Sequence, residues 1–260
     1  MNIAKLLAEL ADLRANTYNF LIGHHTNDWD DLRAFLPRAR EQGLAVWVTL
    51  LPPSESPPRG KQFSEPFRLD FERWAGELAR LSLAETNLVA WSIDDFFHNE
   101  AFFTPDYVKR YTDLARGINP RLHSVPCWYF RQIKPATAEK YRGLFDGVLF
   151  PYRAESDPQP NLTNATRVET EVQIIRRTVG TNVPVVLDVY ATAHSRLGGS
   201  TPEYVQAVVR RGLRCCDGVL IFCHQDPVAD AAKYRVIRTE FHAWLRERAA
   251  RSDGDATRRR

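Results

Sequence analysis

The residues best suited to chemistry are two adjacent aspartates, Asp94 and Asp95, which close the apolar run NLVAWSIDD. Two carboxyls this close cannot ionise independently, so one is expected to hold its proton to higher pH than its neighbour. A raised carboxyl can serve as a general acid. An ionised one beside it can orient a substrate or stabilise a developing cation. If the run is a strand, alternation puts Ser92 and Asp94 on one face and Trp91, Ile93 and Asp95 on the other. Small polar residues suit an enclosed interior, whereas Trp91 and Ile93 suit a layer packed on helices. Asp94 is then expected to point inward, and Asp95 to join it only if the strand ends before it. A third carboxyl, Asp188, shares a face of LDVY with Tyr190. An aspartate inside a strand needs a partner, because burying an unpaired carboxylate is costly. Tyr152, Arg153 or Tyr190 could supply one. A buried structural ion pair and a substrate contact stay equally open for Asp188.

Other strand-end residues extend this set. Trp128 and Tyr129 in CWYF offer rings that could stack on a sugar or simply pack under loops. His24, His25 and His224 are hydrogen-bonding or acid–base candidates. The run DDFFHNE at 94–100, with His24 or His224, has ligand types for a divalent metal. It lacks HxH or HExxH spacing, so no metal and no other cofactor is expected. LGGST at 197–201 opens a helix, where backbone amides can hold phosphate, with Arg153 and Arg196 as the available cations. A flexible turn is the plainer reading.

Positioning these residues requires a repeating scaffold. Short Val-, Leu- and Ile-rich runs predict strands near 17–24, 44–51, 87–94, 121–129, 145–152, 184–190 and 217–224. Helices are expected near 3–14, 29–42, 67–84, 104–116, 136–143, 166–179, 201–214 and 229–250. Thr104-Pro105 and Thr201-Pro202 each place a capping hydroxyl before a proline at the first helical position. This alternation over 260 residues predicts an α/β fold of (β/α)8 TIM barrel type. A doubly wound sheet is the alternative, but no glycine fingerprint follows an early strand. LFDGVLFPYR at 144–153 and CCDGVLIFCH at 215–224 align 71 residues apart, about two β/α units. Only seven strands are legible, and the chain opens on a helix. Either one strand is unseen, or the barrel is seven-stranded or lacks its first strand. The Pro-rich segment 52–66 reads as a long loop at the strand-end face, where barrels carry their chemistry. No linker divides the chain. A single barrel domain is expected over 1–250, with a disordered basic tail at 251–260.

Composition narrows the partners. Hydrophobic residues at 44% exclude a disordered chain. No run approaches the roughly 18 apolar residues of a membrane span, and MNIAKLLAELADL reads as an amphipathic helix rather than a secretion signal. The net charge of +3 sits partly in the tail and forms no basic stripe, so neither nucleic acid nor membrane is expected as a partner. Cys127, Cys215, Cys216 and Cys223 form no CxxC pair, which suits reduced thiols and a cytoplasmic location. The sequons at Asn161 and Asn164 carry little weight without a secretion signal. Oligomeric state is not legible.

Taken together, VAWSIDDF, CWYF, FPYR and LDVY resemble the strand ends of a glycoside-hydrolase-type barrel. The paired aspartate is similar to that of hexosaminidases using substrate-assisted catalysis, such as O-GlcNAcase-like enzymes. The resemblance implies a glycosidase acting on a small-molecule or oligosaccharide substrate. Asp94 would polarise a substrate acetamido group and Asp95 would be the acid/base. Asp188 is the reserve carboxylate, and the separation of the working pair would distinguish inverting from retaining chemistry. Trp128, Tyr129, Tyr152, Arg153, Tyr190, His24, His25 and His224 would shape the sugar site. Two other readings stand beside it: a metal-dependent lyase, aldolase or hydrolase in the same barrel, and a non-catalytic carbohydrate-binding barrel.

Overall fold

The computed structural model describes the backbone of residues 1–258 and side chains through 251. The tail expected at 251–260 lies, Arg251 apart, outside the residues described to their side chains. Helix α1 (Ile3–Leu13) opens the chain. Asn2 accepts the Lys5 amide to cap it, and Leu6, Leu7, Leu10 and Leu13 form its buried stripe. Strands β1 (Thr17–Ile22), β2 (Ala45–Leu50), β3 (Leu88–Ile93) and β4 (His123–Ser124) form a parallel sheet in that order. Strands β5 (Val148–Tyr152), β6 (Val185–Tyr190) and β9 (Gly218–Phe222) form a second parallel sheet. A two-residue antiparallel pair, β7 (Ala193–His194) with β8 (Gly198–Gly199), stands after β6. Helices α2 (Asp28–Glu41), α3 (Phe71–Ala84), α4 (Pro105–Ile118), α5 (Pro135–Lys140), α6 (Val168–Val179), α7 (Pro202–Cys215) and α8 (Ala231–Arg258) fill the connections. Thr104 and Thr201 cap α4 and α7 as expected, accepting the amides of Tyr107 and Tyr204.

The strand expected over 121–129 forms only in part. Pro126 has no N–H to give, and it interrupts the ladder. The segment then serves as the joint between the sheets. On one side Val125 and Cys127 donate to Trp91 and Ile93 of β3; on the other, Trp128 donates to Leu149 of β5 at 2.8 Å. All seven expected strands are therefore parallel neighbours in chain order. Among the described residues no eighth parallel strand occurs, and no ladder joins β9 to β1. Helix α1 is instead pinned to the β9–α8 segment. His224 meets Glu9 at 2.6 Å, Lys5 meets Asp226 at 2.9 Å, and Tyr234 of α8 donates to Asp12 at 2.9 Å.

The internal echo marks β5 and β9, which flank β6 on either side. The aspartate of each Asp-Gly has the same structural task. Asp146 accepts the Ser124 amide and binds Arg116 from the last turn of α4. Asp217 accepts the Val185 amide and binds Arg176 from the last turn of α6. The repeat builds sheet edges rather than chemistry.

Alternation sorts the strand residues into two layers. Trp91 turns outward onto Tyr111 of α4, with rings 5.4 Å apart. Ala90, Val125 and Leu149 pack with Trp47, Val186 and Leu220 from both sheets, forming an apolar floor between them. Beyond that floor, toward the carboxyl ends of the strands, the inward positions turn polar. Thr49 donates to Asn19 at 2.8 Å, and Ser92, Asp94 and Asp188 follow.

Candidate functional site

The carboxyl end of β3 builds the centre of the site. β3 ends at Ile93, and Asp95 takes a left-handed conformation (φ 41°) that opens a short 3-10 turn over Phe96–Asn99. Aspartate tolerates that region better than most residues. The turn breaks the alternation, so Asp95 faces the same place as the inward Asp94 instead of the helix layer. The Asp95 amide donates to Asp94 Oδ1 at 2.9 Å, locking the pair together.

The two carboxyls are pushed in opposite directions. Burial, and then the charge of Asp95, raise Asp94 to about 6. Asp95 is also pushed up by burial, but His98, Tyr129 and Arg153 outweigh that and hold it below its ordinary value. His98 Nδ1 lies 3.2 Å from Asp95 Oδ1, as an ion pair rather than a well-aligned hydrogen bond. Its close contact with the Asp95 carboxylate in turn raises His98. Behind Asp94 lies Asp188, 5% exposed, with Oδ1 unpartnered. Burial, then the charge of Asp94, holds Asp188 well above the carboxylate range. None of the expected partners, Tyr152, Arg153 or Tyr190, hydrogen-bonds Asp188 among the described residues.

The opposite wall is aromatic and cationic. The Arg153 guanidinium lies 3.9 Å over the Tyr129 ring, and the Tyr129 and Tyr190 hydroxyls are 3.5 Å apart. Glu155 pairs with Arg153, and β7 brings His194 Nε2 to 3.4 Å from it. The Gly198–Gly199 segment, which had suggested phosphate, forms the returning strand of that hairpin, while Thr201 already satisfies the Tyr204 amide of α7.

The structure thus gathers Asp94, Asp95, Asp188, Tyr129, Arg153 and Tyr190. His24, itself exposed, lines a separate cavity of about 210 Å³ with Gly23, Leu51, Glu55, Lys61 and Gln62. His25 is exposed, its amide held with those of Gly23 and His24 by the Asp28 carboxylate. Three expected residues stand elsewhere. Trp128 is buried against Phe97, ring on ring at 4.1 Å, because the joint between sheets turns it outward. Tyr152 falls on the helix-facing side of β5, donates to Asn164 O at 2.6 Å and stacks on Tyr204. His224 is taken up by Glu9.

Two further residues were reached in the sequence only as parts of longer segments, DDFFHNE and the Pro-rich loop over 52–66. His98 sits three residues after Asp95, the spacing that one tight turn brings together. Glu55 lies in the Pro-rich loop, and its placement depends on long-range bonds that no local pattern announces. As for metal, one ligand-type atom each from Asp94, Asp95 and Cys127 lies within 4.8 Å of the others. Burial, then the charges of Asp94, Asp95 and Asp188, push the Cys127 thiol well up. The set has no imidazole and two donors from adjacent residues, a poor match to a zinc or iron site.

No protein-family model matches the chain, and no curated protein matches it. Among solved structures it is similar to a GH18 chitinase from Pseudoalteromonas aurantia. The TM-score is 0.58 and the identity 13%, over 90% of this chain and 95% of that one. It is also similar to active domain 2 of a chitinase from Pyrococcus furiosus, with TM-score 0.61, 11% identity, and 93% and 90% coverage. A GH2 β-galacturonidase from Eisenbergiella tayi gives TM-score 0.56 and 16% identity over 93% of this chain; the chain spans 47% of its length. It spans 28% of a Bacteroides uniformis β-glucuronidase. At these identities the likeness shows the fold: a mixed α/β arrangement of parallel strands and covering helices shared with glycoside hydrolases.

Proposed function

We propose that β1 to β6 and β9 curve into one incomplete barrel and that the protein cleaves a glycosidic bond at their carboxyl ends. One observation carries this reading: the turn after β3 puts two adjacent carboxyls in one place, linked at 2.9 Å, and unequal surroundings push Asp94 up and Asp95 down. A pair separated in this way supplies both halves of glycoside chemistry. Asp95 stays ionised and faces the positive charge that builds at the anomeric carbon. Asp94 exchanges a proton in the working range and takes one from the attacking water. These roles are the reverse of those implied by the hexosaminidase resemblance, because the carboxyl pushed upward is Asp94. Tyr129, Arg153 and Tyr190 form the wall against which a sugar ring would lie, and the buried Asp188 backs Asp94. Similarity to carbohydrate-active folds supports the substrate class.

The test is hydrolysis of nitrophenyl glycosides of N-acetylglucosamine, glucuronic acid and galacturonic acid. Wild-type protein should release nitrophenol from at least one. Asp94→Asn should lower kcat/KM by about 10²- to 10⁴-fold, the range of general acid–base catalysis. Activity that survives in both Asp94→Asn and Asp95→Asn refutes the proposal.

A further inference from the structure

The loop after β2 carries a carboxyl that the roles above leave unused. Glu55 lies in PPSESPPRG, and its half-buried carboxyl makes no hydrogen bond or ion pair among the described residues. It lines the cavity beside His24, Leu51 and Lys61. From the β3 side, Asp94, Asp95 and His98 are near enough for their charges to act on it.

The loop is built to hold this residue still. Asn99 accepts the Ser54 amide at 2.9 Å, and its amide group donates to Ser54 Oγ at 2.8 Å and to Asp95 O at 3.0 Å. One buried side chain therefore ties the residue before Glu55 to the backbone of Asp95. Farther along, Ser64 accepts the Leu51 amide and donates to Ile22 O at 2.6 Å, fastening the loop across β1 and β2. Gly60 packs so tightly that a Cβ there would lie 1.5 Å from Glu55 O. Rigid support of this kind is what a reacting group needs and what a solvated loop carboxylate does not.

We propose that Glu55 is a catalytic residue, the proton donor to the departing oxygen in the cleavage assigned above to Asp94 and Asp95, on which this assignment rests. As the C1–O bond breaks, its electron pair stays on the leaving oxygen, which takes the Glu55 proton. Asp95 faces the positive charge at C1. A water oxygen forms the new bond to C1 and gives its proton to Asp94. Solvent returns a proton from Asp94 to Glu55, so one water is consumed and the protein is unchanged. The protonation states support these roles. Burial, then the charges of Asp94 and Asp95, push Glu55 up to about 7, against a smaller opposing effect of His98. Asp94 titrates near 6. An upward push of this kind favours the protonated form of Glu55 that a proton donor needs.

The test compares wild type with Glu55→Gln on two aryl glycosides of the sugar the protein cleaves. A methoxyphenol leaves poorly and needs a proton; a dinitrophenol leaves well without one. Loss of a proton donor should lower kcat/KM on the methoxyphenyl glycoside by about 10²- to 10⁴-fold and far less on the dinitrophenyl glycoside. It should also remove the alkaline limb of the pH profile. A merely structural Glu55 would lower both rates together, and that result overturns the assignment, as does an unchanged Glu55→Gln. Carboxyl carbon NMR of the free protein, which needs no substrate, gives a second reading. A Glu55 carboxyl that titrates with the surface glutamates overturns the assignment even when Asp94→Asn is inactive. Wild type inert on every glycoside refutes the proposed function, and this assignment with it.

Discussion

Replacing Asp94 by asparagine should make the protein more stable while it removes activity. The carboxyl titrates from an ordinary 3.8 in the unfolded chain to about 6 in the folded one, chiefly through burial and then through Asp95. Below pH 3.8 both states carry the proton, and the site costs nothing. Above it the unfolded chain ionises first while the folded chain keeps its proton. Stability therefore falls as pH rises, and the full cost is reached above about 6. That cost is about 3 kcal/mol. Asparagine is neutral throughout and keeps the oxygen that accepts the Asp95 amide. Its NH2 needs a partner, which returns about 1 kcal/mol of the gain. A net gain of about 2 kcal/mol should raise Tm by about 4–8 °C at pH 8 for a chain of this size. Thermal melts of wild type and Asp94→Asn from pH 4 to pH 8 check the sign and the window. Equal Tm values at pH 8, or a gain as large at pH 4, would refute the reasoning.

The neighbouring substitution should act in the opposite sense. Asp95 lies below its ordinary value, so its ionised form adds stability above pH 3.8 that is lost as pH falls through the folded value. Asp95→Asn should lower Tm at pH 7, and because its charge raises Asp94 and Glu55, it should move both of their NMR midpoints down. Gly60→Ala should cost about 1–3 kcal/mol by overpacking against the Glu55 carbonyl and should lower activity as well. Gly43→Ala, at φ +68° with open space around it, should cost about 1 kcal/mol and leave activity unchanged, and equal activities in the two variants would show that the loop does not position Glu55. Tyr152→Phe removes the hydroxyl's bond to Asn164 O, away from the carboxyl cluster, so it should cost about 0.5–1.5 kcal/mol in melts with no change in the pH–rate profile.

What was legible in the sequence follows from the range of the forces involved. Asp94's direction could be read because alternation is a local rule, and Trp91 and Ile93 had to meet helices. The seven strands could be read because buried parallel strands are apolar throughout. The Asp-Gly echo was visible, but its meaning was not, since Arg116 and Arg176 reach their aspartates from helices 30 and 41 residues away. The same limit explains Tyr152 and Trp128. Both sit near strand ends, where a positional rule recruits them. A single-residue shift, such as the joint at Pro126 creates, decides whether such a residue faces the interior or the helices. The loop over 52–66 could be placed at the strand-end face, but Glu55 within it could not be singled out. Its environment is made by Asn99 and Asp95, forty or more residues along the chain, and by Ser64 reaching back to β1. A carboxyl in a Pro-rich loop reads as solvated unless those bonds are known. Folding fastens this loop at one end to the backbone of Asp95 and at the other across β1 and β2, and it is that long-range geometry, not a motif, on which the proposal for Glu55 rests.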